Sequence, residues 1–525
     1  MYIMNNPYGI KIEGGKTKLL LVYPDYNAGD TAISNSGGNY QEGLASISAV
    51  VKQGGHDVKL FHLLYSHTEK EFKKKLQEFD ADIVGFTCRS SAFEDVKRYA
   101  KWAKEAGCKF VHCGGYHVLL VPDEVLAVDG VDAVSLGEGE YPTLELCDKL
   151  AKDEEILDIE GFSFKLPDGT IKKNPVRPLI EDLDELPLPD FELFDYKNLS
   201  TTKVDTILVM MSRGCLFSCT YCGNSQFRNI YPNKAKYCRF RSPDKAIGYL
   251  KRILEKYPNI RYVNFRDAIF NMYPKWFDEF IEMYTKEIKL PFTCNLRLDA
   301  LDEDTVRRMA EAGCYLIEVG VESGDEEIRK KYLHRYMSDE QMINAFNWFH
   351  KYHITGLAYN IIGLPYEDLS KALKTIKLNA RLKSDRAIPN IFTPYPMTIL
   401  ADIAKEAGKV PDVIDASRRV FLIQKQFPPY QVLFVRNYFL YYINKYKKAF
   451  AMGGKKGERY EKWLDFWFLG PLTPRRLMVF LSDAKEWTWL HLKNIGRTVM
   501  PSLYMKLRDK KIKKMRAKKQ AQKYE

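Results

Sequence analysis

Short apolar runs alternating with helical periodicity, in two series separated by a proline-punctuated stretch, constrain this 525-residue chain more than any other feature. Strands that alternate with full helices build parallel sheets, because each crossover has to carry a helix. In the first series residues 18–23, 57–63, 82–87, 109–113 and 133–136 read as strands. Residues 42–53, 69–79, 93–106 and 141–152 read as helices, the first stopping at Gly54-Gly55. The pattern predicts an α/β fold that opens with a five-stranded, doubly wound parallel sheet over residues 1–155. Periodicity then breaks down, and Gly169, Pro175, Pro178, Pro187 and Pro189 mark a linker over 156–205 with a small hairpin turning at Pro167-Asp168-Gly169. A second series over 206–408 places strands at 206–211, 262–265, 292–296, 316–319, 358–362 and 389–393, which predicts a partial (β/α)6 barrel of the TIM type. Residues 409–525 read as a mostly helical, aromatic region that ends in a basic tail.

Composition removes several function classes. Ten cysteines are too sparse for a disulfide scaffold, and residues 1–17 are polar and Gly-rich, without the apolar segment of a signal peptide. No run approaches the roughly 18 apolar residues of a spanning helix, so the expected location is a reducing cytoplasm. The formal net charge of +12 concentrates at the end: ten Lys or Arg and one acid, Asp509, lie between Lys506 and Lys523. A solvated helix is the bland reading of that tail. The aromatic segments 463–468 and 487–489 just ahead of it also suit a peripheral contact with an anionic membrane. Nucleic acid is not expected as a partner, because single-strand binders interleave stacking aromatics with cations and the tail has only Tyr524.

The chemistry lies in Met211-Ser-Arg-Gly-Cys215-Leu-Phe-Ser-Cys219-Thr-Tyr-Cys222-Gly223-Asn224, directly after an apolar strand. Three thiolates on one tight loop can bind three irons of a 4Fe-4S cubane and leave the fourth iron open to an external ligand. The rival readings are buried structural cysteines or half of a zinc site. Zinc needs a four-coordinate set, and no second Cys or His pair at ligand spacing follows: Cys238 stands alone, and His112 and His117 lie far back in the chain.

This loop resembles the CxxxCxxC signature that follows the first barrel strand in the radical S-adenosylmethionine superfamily. The resemblance continues through Tyr221, Phe265-Arg-Asp267, Arg297, Gly320-Val-Glu322-Ser323-Gly324 and Gly363-Leu-Pro365, all expected at strand ends. It implies that Cys215, Cys219 and Cys222 hold the cluster and that Tyr221 lies near the adenine of S-adenosylmethionine. It implies further that Asp267 helps hold the methionyl amino group, and that Arg297, Glu322 and Ser323 approach the carboxylate or ribose, with Gly363 also on the cofactor. Residues 1–155 resemble the Rossmann-like cobalamin-binding domain of one branch of that superfamily, through Tyr23-Pro24, Gly43-Leu44, Gly114-Gly115-Tyr116-His117 and Gly137-Glu138-Gly139-Glu140. The linker motif Asp184-Glu-Leu-Pro187-Leu-Pro189-Asp190 is also similar to that branch. By this likeness Tyr23, Gly43, Gly114, Gly115, His117, Gly137, Glu138 and Gly139 approach cobalamin. Strand-end glycines give the likeness a physical basis, since they admit a flat ligand close to the backbone. The Asp-x-His-x-x-Gly element that brings a histidine to cobalt is absent, and His56, His62 and His117 read as hydrogen-bonded structural residues.

Both cofactors together imply a cobalamin-dependent radical enzyme, a methyltransferase acting on an unactivated carbon or a phosphinate-like centre. Reductive cleavage of S-adenosylmethionine to a 5'-deoxyadenosyl radical would activate the substrate. The alternatives are radical cyclisation, oxidation or rearrangement without methyl transfer and, in another class, an RNA-binding or RNA-modifying protein using the basic tail. The implied partners are a small-molecule or lipid-like substrate and an electron donor such as flavodoxin or ferredoxin. No individual catalytic residue is legible. Aromatic segments such as 434–442 could cap the barrel mouth, and Tyr395-Pro396-Met397 departs from the Pro-Gly usual after the sixth strand of relatives.

Overall fold

Strand β1 (Lys18–Pro24) is apolar through its interior, and its alternate side chains serve two separate cores: Leu19, Leu21 and Tyr23 face one, Leu20 and Val22 the other. A strand buried on both faces belongs at the centre of a parallel sheet. In the computed structural model, which describes residues 7–26, 38–411, 418–500 and 510, β1 takes that place. It lies between β2 (Asp57–Leu63) and β3 (Ile83–Thr87), and β4 (Phe110–Gly114) and β5 (Ala133–Ser135) follow, all parallel. Helices Glu42–Gln53 and Glu140–Ala151 cover one face, and Glu69–Phe79 and Phe93–Glu105 the other. The order β2-β1-β3-β4-β5 changes direction beside β1, which opens a crevice at the carboxyl ends of the strands.

Residues 156–205 do more than link. Strands β6 (Phe162–Lys165) and β7 (Ile171–Lys173) form the hairpin around Gly169, and β6 pairs antiparallel with β5, extending the sheet from five strands to seven. The segment behind the hairpin buries Phe191, Phe194, Tyr196 and Leu199 in the core that also holds Ile207 and Val209.

The second sheet begins with β8 (Thr206–Val209). A two-stranded antiparallel ribbon follows, β9 (Ser212–Arg213) with β10 (Arg239–Phe240). Strands β11 (Tyr262–Phe265), β12 (Phe292–Leu296), β13 (Cys314–Glu322), β14 (Thr355–Ile362) and β15 (Arg386–Ile391) then pair in chain order beside β8, all parallel. Six strands curve without closing, so the α/β reading with a partial barrel holds. Strand β15 starts three residues before the expected 389–393 because it tolerates Pro389 inside it: an edge strand does not need that N–H for a further neighbour. Helix Pro429–Met452 packs on helix Leu369–Arg381, and helices Gly454–Leu469 and Arg475–Val499 pack on it in turn. Among the described residues no helix is long and apolar enough to cross a membrane. The basic tail lies outside the described residues except for Lys510.

Candidate active site

After β8 the chain is gripped by Asp267, whose Oδ1 accepts the Met211 N–H at 2.8 Å and the Ser212 hydroxyl. Gly214 then turns it at a φ of +82°, and a Cβ there would sit 2.1 Å from the Tyr237 carbonyl oxygen. Only glycine fits such a position. The loop that emerges sets Cys215, Cys219 and Cys222 on the wall of a cavity of about 570 Å³ at the carboxyl ends of the barrel strands. Barrel chemistry occurs on that face.

A chain of polar contacts runs along the wall. Arg297 donates to the Cys219 Sγ at 3.4 Å, is forked onto Asp299 at 2.9 and 2.7 Å, and lies 3.7 Å over the Phe217 ring. Arg335 donates to the Tyr221 hydroxyl at 3.2 Å and comes within 3.9 Å of the same sulfur. Tyr221 in turn donates to Glu322 at 2.9 Å. Burial raises the Glu322 carboxyl above the usual range, against the pull of Arg335. Burial works against the Arg335 charge too, but Tyr221, Glu322 and Cys219 keep it protonated. Glu322 also holds a φ of +64°, the kind of backbone strain that collects at functional sites.

The donor set suits an iron-sulfur cluster. Burial pushes the Cys215 and Cys222 thiols up, as it does for cysteines of the core, but these side chains line a cavity together with Cys219 instead of packing in the core. Two guanidinium groups reach the third sulfur. Among the described residues no three Cys, His, Asp or Glu side chains are gathered for a single ion, and a cubane instead takes one thiolate per iron.

The six residues expected on S-adenosylmethionine divide. Tyr221, Arg297 and Glu322 line the cavity. Asp267 is turned away as the fully buried anchor of the Met211 turn, and burial pushes it up to about 6. Ser323 is fully buried, and its hydroxyl accepts the Asp325 N–H. Gly363 turns under helix Pro429–Met452 at a φ of +82°, its N–H held by Glu367. Arg335 went unread because it follows an irregular turn with no pattern of its own.

A second cavity, about 540 Å³, lies between the crevice of the first sheet and the ribbon β9–β10. Gly43, Gly114, Gly115, Gly137, Glu138 and Gly139 line it. At Gly114 a Cβ would meet nothing closer than 3.9 Å on the protein side, so it would project into the space a flat ligand needs. The cradle therefore fits a corrinoid. Glu138 spends its carboxylate on the protein, pairing with Arg213 at 2.9 Å and Arg239 at 3.0 Å, while Glu140 also binds Arg213. These pairs clamp the first sheet onto the cysteine loop. Two of the expected residues lie off the cavity wall: Tyr23, in β1, stacks on His62 of β2, and His117 bonds Ser90 at 3.0 Å and packs on Phe93. The histidine that does line it is His112. It projects from mid-β4 over Gly85, is held neutral by burial with its pKa pushed down to about 4, and has no hydrogen-bond partner for either ring nitrogen among the described residues. Only the glycine opposite it in β3 could have signalled this.

The two cavities share a wall. Asn224 lines both, and Arg266 of the second cavity pairs at 3.6 Å with Glu318 of the first.

Comparison with known proteins agrees with this architecture. The model of the radical SAM superfamily matches residues 209–378, and that of the B12 binding domain matches residues 35–146. The chain is 32% identical to a protein of Pyrococcus horikoshii named uncharacterized methyltransferase PH0819, over 74% of this chain and 83% of that one. It is 24% identical to the anaerobic magnesium-protoporphyrin IX monomethyl ester cyclase of Rubrivivax gelatinosus, over 77% and 72%. In fold it is similar to the cobalamin-dependent S-adenosylmethionine radical enzyme OxsB with aqua-cobalamin bound, with a TM-score of 0.65 at 16% identity over 94% of this chain and 80% of that one. It is also similar to the radical S-adenosylmethionine methyltransferase TsrM of Kitasatospora setae, with a TM-score of 0.62 at 14% identity over 79% and 83%. The chain belongs to the cobalamin-dependent methyltransferase branch of the radical S-adenosylmethionine superfamily, whose cofactors are a 4Fe-4S cluster, S-adenosylmethionine and cobalamin.

Proposed function

We propose that this enzyme transfers a methyl group to an unactivated carbon, or a phosphinate-like centre, of a small or lipid-like molecule. The observation that carries this reading is the shared wall: Asn224 and the Arg266–Glu318 pair put the cysteine-lined cavity beside the glycine-lined one. Cys215, Cys219 and Cys222 hold the cluster, and Tyr221, Arg297 and Glu322 receive S-adenosylmethionine. Gly43, Gly114, Gly115, Gly137 and Gly139 seat cobalamin. The bound cofactors supply a radical that takes hydrogen from the substrate and a cobalt that carries the methyl group.

The protein's own part is placement and exclusion of water. Phe217, Ile269, Leu296, Ile361 and Phe392 make much of the first cavity apolar. The Arg335, Tyr221 and Glu322 contacts hold one edge rigid. Leu216, 44% exposed at the outside of the cysteine loop, offers an external electron donor such as flavodoxin or ferredoxin a way to the cluster. The setting is the cytoplasm, with peripheral access to a membrane.

The test is anaerobic reconstitution with iron, sulfide and hydroxocobalamin, then incubation with methyl-labelled S-adenosylmethionine and extracts of the native host split into aqueous and lipid fractions. The label is expected in an extractable product together with 5'-deoxyadenosine. If 5'-deoxyadenosine forms and the product carries no label, the reading is wrong and cyclisation or oxidation replaces it.

A further inference from the structure

The helices after residue 428 leave an apolar face that the fold does not cover. In helix Arg475–Val499, Val479 is buried toward the body, while Leu477, Phe480, Leu481, Trp487 and Leu492 are 54, 67, 56, 61 and 59% exposed. At 3.6 residues per turn these five fall within roughly 140°, and Trp489, 67% exposed, widens the exposed apolar side to roughly 200°, centred opposite Val479. Helix Gly454–Leu469 repeats the arrangement: Leu464 and Phe468 are buried, and Trp463, Phe466 and Trp467 stand out at 54, 57 and 40%. Leu472, in the connection between the two helices, is 76% exposed. Exposed apolar residues scattered singly need no explanation, but large apolar side chains repeated on the outer faces of two successive helices mark a docking surface.

Charge decides what docks there. Lys455, Lys456, Arg459 and Lys462 are exposed on the first of these helices, and ten Lys or Arg follow the second between Lys506 and Lys523. A second copy of the chain, packed like on like, would bring two such basic sets together. An anionic bilayer does the opposite: tryptophans and leucines enter the headgroup boundary while lysines and arginines reach the phosphates.

We propose that the outer faces of helices Gly454–Leu469 and Arg475–Val499, with the exposed cations of the first, form a peripheral docking surface for membranes with anionic headgroups. The surface rests on the lipid-like-substrate reading for its purpose, but its existence is tested without any methyl transfer. The full-length protein is floated with vesicles of phosphatidylcholine alone and of phosphatidylcholine mixed with phosphatidylglycerol, at low and high salt. Binding is expected to the mixed vesicles only, with a blue shift of tryptophan emission and loss at high salt. The double variant Phe480→Glu, Trp487→Glu is expected to stay with the lipid-free fraction while keeping its circular dichroism and its uptake of cobalamin. Failure of the parent to bind mixed vesicles at low salt would overturn the proposal, as would undiminished binding by the double variant. A dimer dissolved by the same variant, without vesicle binding by the parent, would hand the face to a second copy. Vesicle binding that fails while labelled product still forms sinks this inference and leaves the proposed function standing.

Discussion

Gly214→Ala asks how tightly the fold holds the cysteine loop, and the structure supplies its own control. Gly214 has a φ of +82° and Gly169, in the turn between β6 and β7, a φ of +86°. Forcing alanine into a left-handed conformation costs about 1 kcal/mol at either position. Around Gly169 a new Cβ meets nothing within 4 Å, whereas at Gly214 it lands 2.1 Å from the Tyr237 oxygen, 2.8 Å from its carbonyl carbon and 2.9 Å from its ring. The two nearest atoms are backbone, so relief requires the segment entering β10 to move, and overpacking of that kind costs about 1–3 kcal/mol more. Gly169→Ala should therefore lose about 1 kcal/mol and Gly214→Ala about 2–4 kcal/mol, with the steric cost isolated in the difference. The assay is urea unfolding followed by tryptophan fluorescence and circular dichroism, read with bound iron and sulfide after reconstitution, since a multidomain chain need not unfold in one step. Gly214→Ala is expected to unfold earlier than Gly169→Ala and to retain much less iron. Equal destabilisation with full iron content would refute the reasoning.

Three further outcomes follow from particular contacts. His112→Phe removes two buried, unpartnered nitrogens, so the apo-protein should gain about 1 kcal/mol while cobalamin affinity by absorbance titration falls about fivefold or more; affinity that is unchanged removes His112 from the corrinoid site. Glu367 is raised from 4.5 to about 8 by burial, above its unfolded value, so its contribution to stability is full below about pH 4.5 and lost as pH climbs through 8. Glu367→Gln keeps an acceptor for the Gly363 and Leu364 N–H groups and should flatten urea midpoints between about pH 5 and pH 9; parallel profiles for the two proteins would contradict this. Arg213→Met strands Glu140, whose side chain is 3% exposed, and should cost about 3–5 kcal/mol, most of it recovered when Glu140→Gln is added. Additive losses in that double-mutant cycle would show that the clamp between the first sheet and the cysteine loop carries no coupling.

Regular elements were legible because periodicity is local. Helices Glu42–Gln53 and Glu69–Phe79 begin and end where the pattern puts them, the second fixed by the Thr68 and Glu71 capping box. The addition of β6 and β7 to the first sheet was not legible, since pairing with β5 is a long-range event that leaves no periodic trace. In the site, loop spacing singled out the three cysteines and the family resemblance singled out Tyr221, Arg297 and Glu322, and all six line one cavity. Spacing says nothing of direction, however. Asp267 follows its strand as expected and then turns inward to hold the Met211 N–H, and His117 sits beside a glycine pair yet packs on Phe93. Arg335 and His112 gain their meaning from neighbours at great sequence distance, Tyr221 for the first and Gly85 for the second.

The most direct measurement is electron paramagnetic resonance of the anaerobically reconstituted, reduced protein before and after addition of S-adenosylmethionine. The account predicts a 4Fe-4S signal that changes when the cofactor chelates the open iron, and no such signal after Cys219→Ala. A spectrum indifferent to S-adenosylmethionine, or a full cluster signal in the cysteine variant, would contradict it.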